Sequence, residues 1–175
     1  MRHDEFEQFV RDRYGQLLRY AVMLAGHQAD AEEVVQESLL RCLGRWRRMK
    51  PDNALAYARK AVLHEFLRST RPRAGLTASA RAKSAELTEE VTGDFTSEIA
   101  ERDRILTVLQ RLPPRQRAAV VMRFLLDLSE AQTSREMKCS VGTVKSLTSR
   151  GLARIREIWA VQPVLDAAST RRERS

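Results

Sequence analysis

Two serines near the C-terminal end, Ser129 and Ser140, each stand just before a helix-forming run. Their close spacing restricts the fold more than any other feature of the chain. Ser129 can cap a short helix over roughly 130–137, and Lys138-Cys139 makes a break. Ser140 can cap a second helix by offering its hydroxyl to a free amide of the first turn. On that second helix Val144, Thr148, Gly151 or Leu152, Ile155 and Trp159 recur every three or four residues and line one side. Lys145, Ser146, Ser149 and Arg150 fall on the other side. A short helix, a tight turn and a helix with a basic, hydroxyl-rich outer face form the helix-turn-helix layout. Its second helix can enter a DNA major groove with the N-terminal half leading. An αα-hairpin with a merely solvated outer face has the same pattern.

The wording of the stretch is more specific. L-S-E-A-Q-T at 128–133, S-V-G-T-V-K-S at 140–146 and A-R-I-R at 153–156 closely resemble the promoter-reading domain of the extracytoplasmic-function (group four) sigma factors of bacterial RNA polymerase, the actinobacterial branch above all. The L-P-x-x-x-R shape from Leu112 to Arg117 is also typical of that family. The resemblance implies that Thr143, Lys145, Ser146, Ser149 and Arg150 meet the −35 major groove. Arg115 and Arg135 would hold phosphate and set the register without specifying sequence.

Charge agrees with a polyanionic partner. The net formal charge is +8 and the pI is near 10.2, which points to nucleic acid, with a membrane surface as the rival. The charge is blocked rather than even. Residues 1–40 carry four Arg against eight acids, net −4, and residues 41–73 carry ten cations against two acids, net +8. Residues 74–112 are net −2, with five cations against seven acids. Residues 113–157 are net +5, with nine against four, and the tail from 158 adds three against two, net +1. Two basic blocks around an acidic, Thr/Ser/Ala-rich stretch suggest two nucleic-acid contacts joined by a linker. A 43 % apolar chain with seven Gly, five Pro and 6 % aromatics favours an all-α fold over many short strands. We expect two small helical domains joined by a flexible linker: residues 1–72, a linker at 73–98, a helix-turn-helix domain at 99–160 and a frayed tail at 161–175. The acidic N-terminus lacks a signal core, and no run approaches the roughly 18 apolar residues of a spanning helix. We therefore expect no membrane insertion and a cytoplasmic location. Cys42 and Cys139 have no C-x-x-C partner or metal-spaced histidine and are expected as buried free thiols.

Taken in order, Phe6, Phe9, Val10, Tyr14, Leu17, Leu18, Ala21 and Val22 predict a first helix from about 4 to 25, broken at Gly26. Asp30 or a neighbour caps the next, whose inner face reads Ala31, Val34, Val35, Ser38, Leu39, Cys42, Leu43 and Trp46. The run from Asp30 to Leu39 resembles the helix with which sigma factors grip the coiled-coil clamp of the polymerase's largest subunit. The resemblance implies core-polymerase contacts at Asp30, Glu32, Glu33, Gln36 and Glu37, with apolar contacts from Val35 and Leu39. A core helix with a solvated acidic side would look alike. Asp52 or Asn53 can cap a third helix with Ala54, Ala58, Ala61, Val62 and Phe66 inward and Tyr57, Arg59, Lys60, Leu63, His64, Arg68, Arg71 and Arg73 outward. Rings and cations on one face suit single-stranded DNA, because bases stack on the rings and cations track phosphates. In the family this segment opens the −10 element and captures an unstacked base, so Tyr57, Arg59, Lys60, Leu63, His64, Arg68 and Arg71 are implied there. The family's connector threads near the catalytic centre, where Glu86, Glu89, Glu90 and Asp94 could mimic nucleic-acid charge.

The chain departs from the family at several points. His64 stands where Asn is common, Thr133 and Ser134 where an aliphatic and a small residue are usual, and Lys138 where the turn usually has Gly. Leu147 replaces a residue often basic or polar, and Gly151 sits inside a helix. There is no phosphate loop, and His64-Glu65 lacks the second histidine of a zinc protease, so neither an enzyme nor a cofactor is expected. The expected function is an alternative sigma factor that binds core RNA polymerase and promoter DNA, reads −35 duplex and melts −10 DNA. The family's usual regulator, an anti-sigma factor, is a candidate partner. A stand-alone helix-turn-helix regulator is the alternative, and a protein–protein module with an acidic partner is a weaker third.

Overall fold

The computed structural model describes residues 2–71 and 97–172; Arg73 and the acidic connector residues 86–94 lie outside the described residues. The described chain is all-α. Helix α1 (Arg2–Ala25) carries Leu17, Tyr20, Ala21 and Leu24 inward, a helical repeat that leaves one buried stripe. Gly26, at φ +93°, turns the chain into α2 (Gln28–Arg45). Helix α3 (Ala54–Ser69) packs on both, after 3₁₀ turns at Trp46–Arg48 and Pro51–Asn53. The second half has α4 (Ser97–Gln110), α5 (Pro114–Val120), a π-helical turn (Val121–Leu125), α6 (Glu130–Met137) and α7 (Val141–Arg172). Pro114 occupies the first turn of α5, where a missing amide hydrogen is harmless.

The two halves do not stand apart. Helix α1 packs against α4 and α5, and α3 packs against α5 and α6. One apolar core therefore runs from Leu17, Leu24, Val35 and Val62 of the first half to Leu109, Leu112, Val121 and Met122 of the second.

Several expectations need correction. Asp30 lies inside the first turn of α2, whose N-cap is His27 without a side-chain cap, and Asn53 caps α3 without its side chain. Asp30 still faces the positive helix end. Val35, Leu39 and Leu63, expected to make outward contacts, are buried. On α2 the buried set 31, 34, 35, 38, 39, 42 forms a wide stripe that takes in Val35 and Leu39, and on α3 Leu63 widens the stripe of Ala58, Val62 and Phe66. Cys42 is buried, and its burial pushes the thiol up to about 11, whereas Cys139 is only partly buried; both are free thiols. Burial fades along α7: Val144 and Gly151 are buried, Ile155 is half-buried and Trp159 is 54 % exposed, because the helix outruns the core. That helix continues to Arg172, through the tail expected to be frayed.

Candidate nucleic-acid interface

The helix-turn-helix is fixed by local hydrogen bonds. Ser129 Oγ accepts the Gln132 amide at 3.1 Å, while the Gln132 side chain accepts the Ser129 amide at 2.7 Å, a reciprocal cap that opens α6. Lys138 ends α6 in the left-handed region, with φ 50°. Ser140 Oγ then accepts the Thr143 amide at 3.1 Å and starts α7. Fully buried Val144 pins α7 to the core. Gly151 permits a close crossing, since a Cβ there would stand 2.7 Å from Val120 Cγ2 on α5. This packing fixes the opposite side outward: Thr143, Lys145, Ser149 and Arg150 are exposed and Ser146 is half-buried. Lys145, 63 % exposed, lies 3.6 Å from Glu130, a surface pair too weak to keep its ammonium from an incoming anion. Arg115 and Arg135 are exposed as well, whereas Leu147 packs partly against the core.

On α3, Arg68 and Arg71 are exposed, while Tyr57, Arg59, Lys60 and His64 are half-buried. Lys60 Nζ donates to the Arg135 carbonyl at 3.2 Å, and His64 Nε2 lies 2.9 Å from the Glu136 carbonyl, a bond in which the ring nitrogen must donate. Both acceptors belong to the last turn of α6. Beneath this face Glu65 is buried and accepts two bonds from Arg68 while pairing with Arg41 of α2. The hydrogen bond to Glu65 pushes the Arg68 guanidinium upward from its ordinary value. Tyr20 is buried nearby, and burial first, then the Glu136 carboxylate, drives its phenol well above the usual range.

Arg117 of α5 sits where the halves meet. It is 8 % exposed and donates to the Leu24 carbonyl, to Gln110 Oε1 at 2.6 Å, to the Gln110 carbonyl at 3.0 Å and to the Leu112 carbonyl at 3.2 Å. Its guanidinium carbon lies 5.8 Å from the centre of the Phe66 ring. Burial pushes its pKa down to about 10, yet it stays charged at neutral pH. Beside it is a cavity of about 600 Å³ lined by Asp30, Glu33, Glu65, Phe66, Gln110 and Pro114, among others.

Residues 9–74 match the family model of sigma-70 region 2, and residues 102–155 match sigma-70 region 4. The chain is 35 % identical over 170 residues, 97 % of its length and 93 % of the relative's, to the RNA polymerase sigma-E factor of Streptomyces coelicolor. It is 30 % identical over 81 % of its length to the ECF RNA polymerase sigma factor BldN of the same species, of which the match covers 55 %. The chain belongs to the extracytoplasmic-function sigma factors. Its fold is similar to that of the sigma factor RpoE from Bartonella quintana, solved with the anti-sigma factor NepR, at TM-score 0.66 and 22 % identity over 90 % of this chain and 98 % of that one. As a sigma factor it directs promoter recognition and is not itself an enzyme.

Three features of this sigma factor escape a reading of periodicity alone. On α2 the exposed apolar residues are Leu40, 63 % exposed, and Leu43, 39 % exposed, and they follow Glu33, Gln36 and Glu37 along the same outer side. Leu39 and Leu40 are adjacent leucines, and only the direction of the neighbouring helices decides which one faces out. Glu65 is a buried carboxylate shared by two arginines, although its helical position resembles that of any solvated acid. Arg117, part of a family-like L-P-x-x-x-R shape, bonds across to the N-terminal half.

Proposed function

We propose that this sigma factor grips core RNA polymerase with the outer face of α2, formed by Asp30, Glu32, Glu33, Gln36 and Glu37 with Leu40 and Leu43. Acid and amide groups there can pair with basic groups and amides, and the two leucines offer apolar area. Tyr57, Arg59, Lys60, His64, Arg68 and Arg71 take the −10 strand, with the ring of Tyr57 for stacking and the cations for phosphate. Thr143, Lys145, Ser146, Ser149 and Arg150 enter the −35 major groove, and Arg115 and Arg135 hold the flanking phosphates. The N-terminal unit covers 1–72 and the C-terminal unit 99–160, with 73–98 between them. The protein works in the cytoplasm; no described helix is long and apolar enough to cross a membrane. Its partners are core polymerase, promoter DNA and an anti-sigma factor, a class of protein found on one sigma factor of similar fold.

One observation carries the proposal: α7 buries Val144 and Gly151 while presenting Thr143, Lys145, Ser149 and Arg150 to solvent in its first turns. Fluorescence anisotropy of the labelled chain with core RNA polymerase tests the polymerase role. Glu33→Lys and Leu40→Ala should each weaken binding about tenfold, close to 1.4 kcal/mol, with the helical circular dichroism signal unchanged. A folded wild-type chain that does not bind polymerase would instead be a free DNA-binding regulator.

A further inference from the structure

We propose that Glu65 is a positioning residue for promoter binding: from beneath the surface it aims Arg41 of α2 and Arg68 of α3 at one backbone phosphate of the −10 strand. The proposal adds Arg41 to the DNA contacts and rests on the −10 role assigned to α3 above.

Glu65 lies among the buried residues of α3, beside Val62 and Phe66, and its side chain is only 4 % exposed. A buried carboxylate gives up its hydration and stays charged only where several donors replace the water. Here the donors come from two helices. Arg68, one turn along α3, donates from Nε to Oε2 at 3.2 Å and from Nη2 to Oε1. Arg41 of α2 pairs through Nη2 with Oε2. An apolar residue would fill the same position without desolvating a charge, so packing alone does not call for a carboxylate. The carboxylate contributes direction. Two guanidinium groups repel each other, and one anion shared between them holds both at a fixed spacing.

The outer parts of both arginines stay open to solvent, the Arg41 side chain 43 % and the Arg68 side chain 55 % exposed. A guanidinium has five N–H donors, and Glu65 takes only a fraction of them, so a second anion can be held on the outer edge. Two cations less one anion leave the triad at net +1, which matches the single charge of a phosphodiester. Arg71, exposed just past the end of α3, extends the cationic edge toward the next phosphate. Glu37 also acts on Arg68, but from the exposed side of α2, where water and salt screen it.

The full-length chain assembled with core RNA polymerase tests this by anisotropy with a fluorescent single strand carrying a −10 element, titrated over a salt series. Glu65→Gln removes a negative charge, so a merely neutralising role predicts tighter strand binding. Positioning predicts the opposite: binding about tenfold weaker, with a salt slope shallower by about 1 as a phosphate contact is lost. Partial unfolding lowers the bound fraction but leaves that slope alone, so the slope separates positioning from stability. Arg41→Gln should act the same way from an exposed position, and it decides the matter if Glu65→Gln does not fold. Arg41→Lys keeps the charge but not the fork, and its binding should stay well below that of the wild type. Strand binding by Glu65→Gln or Arg41→Gln that equals or exceeds the wild type overturns the proposal. So does weaker binding at an unchanged slope, or an Arg41→Lys protein that binds like the wild type. A wild-type holoenzyme that binds no −10 strand overturns the −10 reading itself, and the phosphate grip with it.

Discussion

Thr133 shows how much one atom can decide. It is fully buried on α6, and its hydroxyl has no hydrogen-bond partner. A buried hydroxyl without a partner loses its hydration with nothing in return. Thr133→Val, which keeps the shape and removes the polar atom, should stabilise the protein by about 1–2 kcal/mol, read as a higher midpoint in urea. A lower midpoint would mean that the hydroxyl has a partner in solution. The residue was legible in sequence as a departure from the family's aliphatic preference; its burial was not, because propensity says nothing about which neighbours close over a side chain. The same limit explains Val35, Leu39 and Leu63. Helical spacing places Val35 and Leu39 on an apolar stripe and Leu63 outward, and only the packing of α1, α2 and α3 shows that all three are enclosed, leaving Leu40 and Leu43 outside.

The elements themselves were the most legible level. Ser129 and Ser140 cap α6 and α7 as the sequence predicts, and the closeness of α7 to Val120 explains a glycine that looks unfavourable in a helix interior. Helix starts without side-chain caps, at His27 and Asn53, were less visible, because no side-chain hydrogen bond marks them. The turn between α6 and α7 carries a testable strain. Lys138 holds φ 50°, a conformation that crowds Cβ against the backbone and that glycine adopts freely. Lys138→Gly should therefore raise stability by about 1 kcal/mol in chemical denaturation, with α7 still presenting its outer face. A loss of stability would show that the lysine side chain contributes more than the strain costs.

At the scale of the whole molecule, the charge blocks suggested two nucleic-acid contacts joined by a linker, and the described helices of the two halves pack on one another through a shared core. Composition reports how many apolar residues exist but not whether two sets of them meet. Shared packing predicts coupled unfolding. Met122, buried in the C-terminal half, should cost about 2–5 kcal/mol when changed to alanine. Trp46 reports on the N-terminal half from its contacts with Phe6 and Phe9, each at 5.1 Å between ring centres, whereas Trp159 is already largely exposed. Met122→Ala should thus lower the Trp46 fluorescence transition in urea along with the overall helical signal. A Trp46 transition left in place would mean that the halves melt independently.

The contact between His64 and Glu136 spans 72 residues of chain, and this sets an order of events during synthesis. Helices α1, α2 and α3 leave the ribosome complete while α6 is still unmade. At roughly 5–20 residues per second, the basic face of α3 stays uncovered for about 4–14 s in every new molecule. In a nascent chain Lys60 and His64 therefore stand without their α6 acceptors, and they gain them only when the second half arrives.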